Sequence, residues 1–526
     1  MPGKGEGARS LPENAALLGA LIALGVALGA MVVIIFNPAR TFVHPTNFED
    51  ILGRTVSNGL SLRLSDFAHA IDQWGPSESR PRFLAALIEE YDLKLRLLLD
   101  QYLTLPLTWR PISWLLLVFV GPIFLFRLLR NLKCDLAAAT AGVAVYVSST
   151  GFLSGLTMAF IPGKGLTTVA LIMAMYFLSE IAKSCRGVRF SEAPTRVIIG
   201  ATLTVFLGLF LDEVGLFAFV VLPILFWPLF FDPHKLGLSK LDWKGIGICA
   251  LPGLAFLLIV VVIVPSFYPL LFHRPFDYLG NVFAVGIGAQ GAQSMFVGPH
   301  GSFGWPILWQ DFTNLFGVSL VPLQVSPFTT QDPQDAVLIQ TTNLPQLLGL
   351  GLFFGALAAG ALLRNPLAAW LRRALLATGA FIVLMTLLSI RHNPVIIGYY
   401  YGASVSLFTA LLVGLGIAAV GHGRPLWYLW GVAAAGAITY VQLDNFILIN
   451  DRWRTLHYEY VVRPMVVHEF TLSNNDVSWA EMSDIRRAWK HGGLETYLKD
   501  HAVSVGAVPL IAELRAIDRF RSPRVR

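Results

Sequence analysis

The chain alternates long apolar blocks with short polar turns, and this alternation predicts helices that cross a membrane. Eleven blocks read as spans: Ala15 to Phe36, Ile112 to Phe126, Leu136 to Phe152, Leu166 to Ala182, Val197 to Leu211, Val214 to Phe231, Ile246 to Val264, Leu347 to Leu363, Ala374 to Ile390, Val395 to Val420 and Leu426 to Leu443. A bilayer core about 30 Å thick takes roughly 20 such residues in a helix. The first block is too long for the core of a signal peptide, and no small-x-small cleavage site follows it, so a retained first helix is expected.

Two long stretches break the pattern. Residues 37–111 hold two amphipathic segments. In Leu62 to Trp74, the residues Leu64, Phe67, Ala68 and Ile71 recur at helical spacing, with Asp66 and Asp72 on the solvated side. A second helix starts near Ser79, with Pro81 tolerable in its first turn. One face carries Leu84, Leu87, Ile88, Tyr91, Leu95, Leu98 and Tyr102; the other carries Glu89, Lys94, Arg96 and Asp100. That helix is too charged to span and is expected to lie at the interface. Residues 265–346 are rich in Pro, Gly, Gln, Phe and Trp, and loops of this length usually serve a function. Within them Tyr278 to Val297 is apolar enough to re-enter or cross the membrane, although Asn281, Gln290 and Gln293 interrupt it.

Composition agrees with the pattern. Hydrophobic residues make up 55% and charged residues only 14%, more apolar surface than a soluble chain hides. The expected fold is all-α and polytopic, with about eleven transmembrane helices, a large first outer loop of amphipathic helices and a small helical C-terminal domain. Residues 1–443 form the transmembrane domain, including outer loops 37–111 and 265–346; residues 444–526 form the C-terminal domain, where Ser478 and Glu481 make a capping-box pattern. The net charge of +6 matters less than its placement. Lys and Arg gather in alternate short turns, around Arg127 to Lys133, Lys183 to Arg196, Lys235 to Lys244, Arg364 to Arg373 and Arg424. The positive-inside rule puts these in the cytoplasm with the amino end, and the carboxyl tail outside. This is a topology signal and not a nucleic-acid footprint. The 3 cysteines, Cys134, Cys185 and Cys249, have neither zinc nor disulfide spacing.

Candidate chemistry lies at the expected outer surface, where ionisable groups are costly unless used or paired. Asp212 and Glu213 form the whole polar tip between two spans. They read either as a solvated turn or as carboxylates facing a cavity, holding a metal or acting as a base. Glu49 and Asp50 lie about a dozen residues past the first span and suit proton abstraction from a hydroxyl, or are ordinary loop acids. Arg391 and His392 end a span ahead of Tyr399, Tyr400 and Tyr401. That grouping fits a phosphate clamp or an interfacial anchor. Lys164, in Pro162-Gly163-Lys164-Gly165, is a second candidate phosphate contact, without the spacing of a Walker loop. His273, Arg274 and His300 in the second long stretch are further candidates for the same pocket, or structural residues, as lone histidines more often are. No HExxH, GxSxG, paired CxxC or strand-borne GxGxxG is present, and mid-span charge is nearly absent, which argues against zinc proteases, serine hydrolases and ion-coupled transport.

This layout resembles the GT-C superfamily of polytopic glycosyltransferases that use polyprenyl-phosphate-linked sugars. The resemblance is architectural and covers the whole chain. It implies a catalytic acid in the first outer loop, which Asp50 or Glu49 matches by position. It also implies a later acidic site, which Asp212 and Glu213 match, and a basic residue on the lipid phosphate, which Arg391 or Lys164 matches. The chain departs from the superfamily in lacking Asp-x-Asp in the first loop and acids in the second short outer turn. The implied function is sugar transfer from a lipid-phosphate donor at the outer face of a bacterial inner membrane, with a divalent cation, Mg or Mn, as the cofactor class the carboxylates would hold. The implied partners are the polyprenyl-phosphate-linked sugar and the bilayer, with no nucleic acid. A glycan polymerase or ligase, a flippase of lipid-linked glycans and a non-catalytic envelope scaffold stay open as alternatives.

Overall fold

The computed structural model describes residues 11–36, 42–43, 82–100, 102, 110–159, 163–184, 189–231, 241–273, 297–298, 301–302, 305–322, 324–325, 339–340, 344–389 and 402–457. These residues fold as a helical bundle, and the ladders among them are two residues long. In chain order the helices are α1 (Leu11–Phe36), α2 (Phe83–Asp100), α3 (Pro111–Asn131), α4 (Leu136–Val147), α5 (Thr150–Thr157), α6 (Gly163–Ser184) and α7 (Thr195–Leu209). After a 3-10 turn, Glu213–Phe217, come α8 (Ala218–Leu225), α9 (Trp243–Phe272), α10 (Trp305–Leu320), α11 (Leu344–Ala361), α12 (Pro366–Ser389), α13 (Gly402–Gly421) and α14 (Pro425–His457).

Seven helices are long and apolar enough to cross a membrane, and eight if the bent pair α4–α5 counts as one span. The protein is therefore a multi-pass helical membrane protein. Three of the expected spans are short apolar helices, Thr195–Leu209, Val214–Leu225 and Leu347–Ala361. At about 1.5 Å per residue, 15 residues in α7 fall short of a bilayer core. The long stretch 265–346 is not wholly a loop. α9 runs on to Phe272, and α10 packs into the bundle with Leu315 and Phe316 buried. Tyr278 to Asn281, Gln290 and Gln293 lie outside the described residues, as does Leu62 to Trp74.

Small residues set how closely the central helices approach. In α13 nearly every residue is buried, whereas α9 is mostly exposed and lies at the bundle's edge. Leu129 of α3 slots between Gly142 of α4 and Gly414 of α13, where added Cβ atoms would lie 2.8 and 2.9 Å from its methyls. Close backbone approach through small residues is how helices associate where lipid removes the hydrophobic drive. The two π-turns also have a sequence cause. Gly121 and Val264 each bond the carbonyl five residues back, and Pro122 and Pro265 follow at once. Proline has no N–H to offer the preceding turn, and a widened turn accommodates that loss.

Candidate functional site

Three segments meet at one end of the bundle. The first is α2. Its opening N–H groups donate across to another part of the chain: Leu84 N and Ala85 N reach the carbonyl of Phe210 at 3.1 and 3.4 Å. The second is the start of α6, where a Cβ on Gly163 would lie 2.5 Å from the carbonyl oxygen of Leu211 and 3.2 Å from Ala85. Glycine is what permits that contact. The third is the turn after α7, which Asp212 caps by accepting from Val214 N at 3.2 Å. Phe83 stacks on Phe210, which also meets Phe256. The first loop is tied to the same region, because Phe42–Val43 pairs in parallel with Met158–Ala159 just past α5.

A buried set of charges lies along this junction. Arg82 Nη2 meets Asp212 Oδ2 at 3.1 Å, with both side chains withdrawn from solvent. Glu90 and Lys94, one turn apart on α2, pair at 3.1 Å and are also buried. Asp92 accepts from Ile112 N at 2.6 Å, from Ser113 N at 3.2 Å and from the Ser113 hydroxyl. It is thus the N-terminal cap of α3, supplied by a different helix. Arg110, just ahead of α3, donates to the carbonyl of Gly155 at 3.3 Å. Burial pushes the Asp92 carboxyl above its ordinary range, against the opposing pull of the Ser113 hydroxyl, Arg110 and two N–H groups. Burial likewise lowers the Arg110 guanidinium, against the negative charges of Asp92 and Glu89.

This bears on two readings of the sequence. On α2, Glu89 and Lys94, expected opposite the apolar face, are buried, as are Glu90 and Asp92, while Tyr102 of the apolar set is 83% exposed; the side chains of Arg96 and Asp100 lie outside the described residues. Helical spacing determined which residues share a face. Docking of α2 on Phe210 and on α3 decided what that face meets. Asp212 is not in a solvated turn, since it is 1% exposed and paired with Arg82. Sequence reasoning singled out Asp212 and Lys164 but missed Arg82, Asp92 and Arg110. The opposite charges crowded between Arg82 and Arg96 were the available signal.

Of the other candidates, Lys164 lies in the first turn of α6, half-buried, next to the Gly163 contact. It shares this bundle end with Asp212. Glu213 opens the 3-10 turn, and its side chain is outside the described set. His273 ends α9 in a left-handed conformation, φ 53. Glu49, Asp50, Arg274, His300, Arg391, His392 and Tyr399 to Tyr401 lie outside the described residues. Among described residues, no group of three or more His, Cys, Asp or Glu is placed to hold a metal.

A second polar feature runs through the bundle interior. α4 and α5 bend by 49° at Ser148 and Ser149. The Ser148 hydroxyl donates to Gln442 Oε1 of α14 at 2.7 Å, and the Ser149 hydroxyl accepts from Phe152 N at 3.2 Å, capping α5. Thr439, Gln442 and Asn450 share a buried stripe of α14. The Thr439 hydroxyl, Gln442 Nε2, both amide atoms of Asn450 and the Thr150 hydroxyl make no hydrogen bond among the described residues. Such groups are costly in a membrane interior. The stripe is neutral, so it can exchange hydrogen bonds with a ligand or water but cannot balance an ion's charge.

Comparison with known proteins found no matching family model, no matching curated protein and no matching solved structure.

Proposed function

We propose that this protein is a membrane glycosyltransferase that moves a sugar from a polyprenyl-phosphate-linked donor to an acceptor hydroxyl at the membrane surface. In this reading the eleven apolar helices all cross a bacterial inner membrane. The Arg424 end faces the cytoplasm, and the Asp212 end, with residues 444–526, faces the periplasm. The observation that supports it is the buried charged junction where α2, from the first loop, docks on the turn at Asp212. A rigid charged floor of this kind positions reacting groups at a membrane surface. Val43 is held at the bundle end by its pairing with Ala159. Glu49 follows only six residues later, a reach of about 20 Å in extended chain. Asp50 or Glu49 is then the base on the acceptor. Lys164, Arg391, His392 and Arg274 stabilise the leaving phosphate, and Asp212 with Glu213 organises the floor or a divalent cation.

The neutral stripe on α14 favours a second reading, passage of a lipid-linked glycan. One experiment separates the two: envelope glycans and lipid-linked sugars in cells carrying wild type, Asp50→Asn, Asp212→Asn, Arg391→Ala or Gln442→Leu, at matched protein abundance. Transfer expects glycan loss with donor accumulating outside in the first three variants. Passage expects donor trapped inside, and in Gln442→Leu. Unchanged glycans in every variant refute both.

A further inference from the structure

The end of the bundle opposite Asp212 carries two adjoining cavities that share one residue. α3 links the ends, with Ser113 at the Asp92 junction and Arg130 on the second cavity. The first cavity is a groove of about 380 Å³ between α11, α13 and α14, open along one side. Its walls are apolar, among them Phe353, Leu357, Ile417, Trp427 and Trp430. It ends at Arg424. The second is a polar pocket of about 620 Å³ that also includes Arg424 and adds Arg130, Lys133 and His422. Its two acids are Glu13 and Asp135, and Asp135 is engaged by the Tyr428 hydroxyl and by Ala138 N at 2.9 Å. Arg424 is exposed and makes no ion pair with any described residue. Trp427 and Trp430 are 59% and 72% exposed beside it, and such exposed Trp side chains favour the level of lipid headgroups.

We propose that this pair of cavities binds one anionic phospholipid. An acyl chain lies in the apolar groove, the phosphate meets Arg424 where the cavities join, and the headgroup sits in the pocket by His422 and Lys133. The occupant follows from the change in polarity along the site. A soluble anion has no use for the groove, a neutral lipid has none for the cations, and an anionic lipid uses both. Basic pockets between membrane helices recognise such headgroups. The site is independent of the proposed sugar transfer, which occupies the other end.

The test uses the full-length protein in mild detergent, with lipid binding read by native mass spectrometry and thermal stability. Phosphatidylglycerol, phosphatidylcholine and inorganic phosphate are added separately. The expected result is retention of one phosphatidylglycerol with a rise in Tm, and about tenfold weaker binding in Arg424→Gln, the loss of one charge-assisted contact. Arg424→Lys should recover part of the binding. Ala434→Phe, which fills the groove without touching the cations, should weaken binding as well. Equal retention of phosphatidylcholine, a Tm rise from inorganic phosphate alone, or unchanged binding in Arg424→Gln would each overturn the proposal.

Discussion

Replacing Arg82 by Met is the sharpest test of the buried junction. Asp212 is 0% exposed at its side chain and Arg82 is 10% exposed, at 3.1 Å separation. Removing the cation leaves a carboxylate with no route to water, and breaking a buried pair in that way costs about 3 kcal/mol or more. Asp212→Asn should cost less, about 2 kcal/mol, because Arg82 keeps a partial route to solvent and Asn still caps Val214 N. The double variant removes both charges and keeps the cap, so about 2 kcal/mol is expected in place of the roughly 5 kcal/mol sum, a coupling of about 3 kcal/mol. Cys134 supplies the assay, since its thiol is buried and becomes reactive only on opening. With Cys185 and Cys249 replaced by Ala, the rate of Cys134 labelling against denaturant reads the stability of each variant. Additivity of the two single variants within about 0.5 kcal/mol, or an Arg82→Met variant as stable as wild type, would refute the reasoning.

Other consequences follow from the same geometry. The raised Asp92 value means that its folded form holds a proton longer than its unfolded form. Its contribution is most favourable below 3.8 and is lost as pH rises through the higher folded value. Wild type should therefore lose stability relative to Asp92→Asn over that rise, measured by denaturant melts at stepped pH. The opposite sign holds for Asp242, whose burial is outweighed by bonds from Ser191 and Gly245, so that its value is lowered. Its stabilisation is present above 3.8 and disappears as pH falls through the lower folded value, and Asp242→Asn should flatten that acid limb. Gly163→Ala forces a Cβ to within 2.5 Å of Leu211 O, and the required backbone shift should cost about 1–3 kcal/mol in the same labelling assay. Gln442→Leu loses the Ser148 bond but also removes an amide nitrogen with no bond among the described residues, so its stability should stay within about 1 kcal/mol of wild type.

What the sequence by itself determined is that the chain is helical and crosses a membrane several times. Seven or eight of the apolar runs form helices long enough to span, because burying a backbone in lipid requires a continuous run of apolar residues, and such a run is a local property; three other runs form shorter helices. Sequence also marked Asp212 and Lys164 as residues at helix ends. It did not identify the partner of Asp212, because Arg82 lies 130 positions upstream and the pair exists only once α2 docks. It set Glu89 and Lys94 on the face of α2 opposite the apolar one but did not show that they are buried, because periodicity assigns residues to faces without saying what a face touches. The bend at Ser148 and Ser149 was equally invisible, since two serines are compatible with a continuous helix until Gln442 from α14 takes up one hydroxyl. The two cavities that share Arg424 arise in the same way, the groove from the spacing of α11, α13 and α14 and the pocket from the meeting of α1, α3, α4, α13 and α14. Which charges are buried, and which are left facing lipid, depends on contacts between segments far apart in the chain, and only tertiary packing decides those.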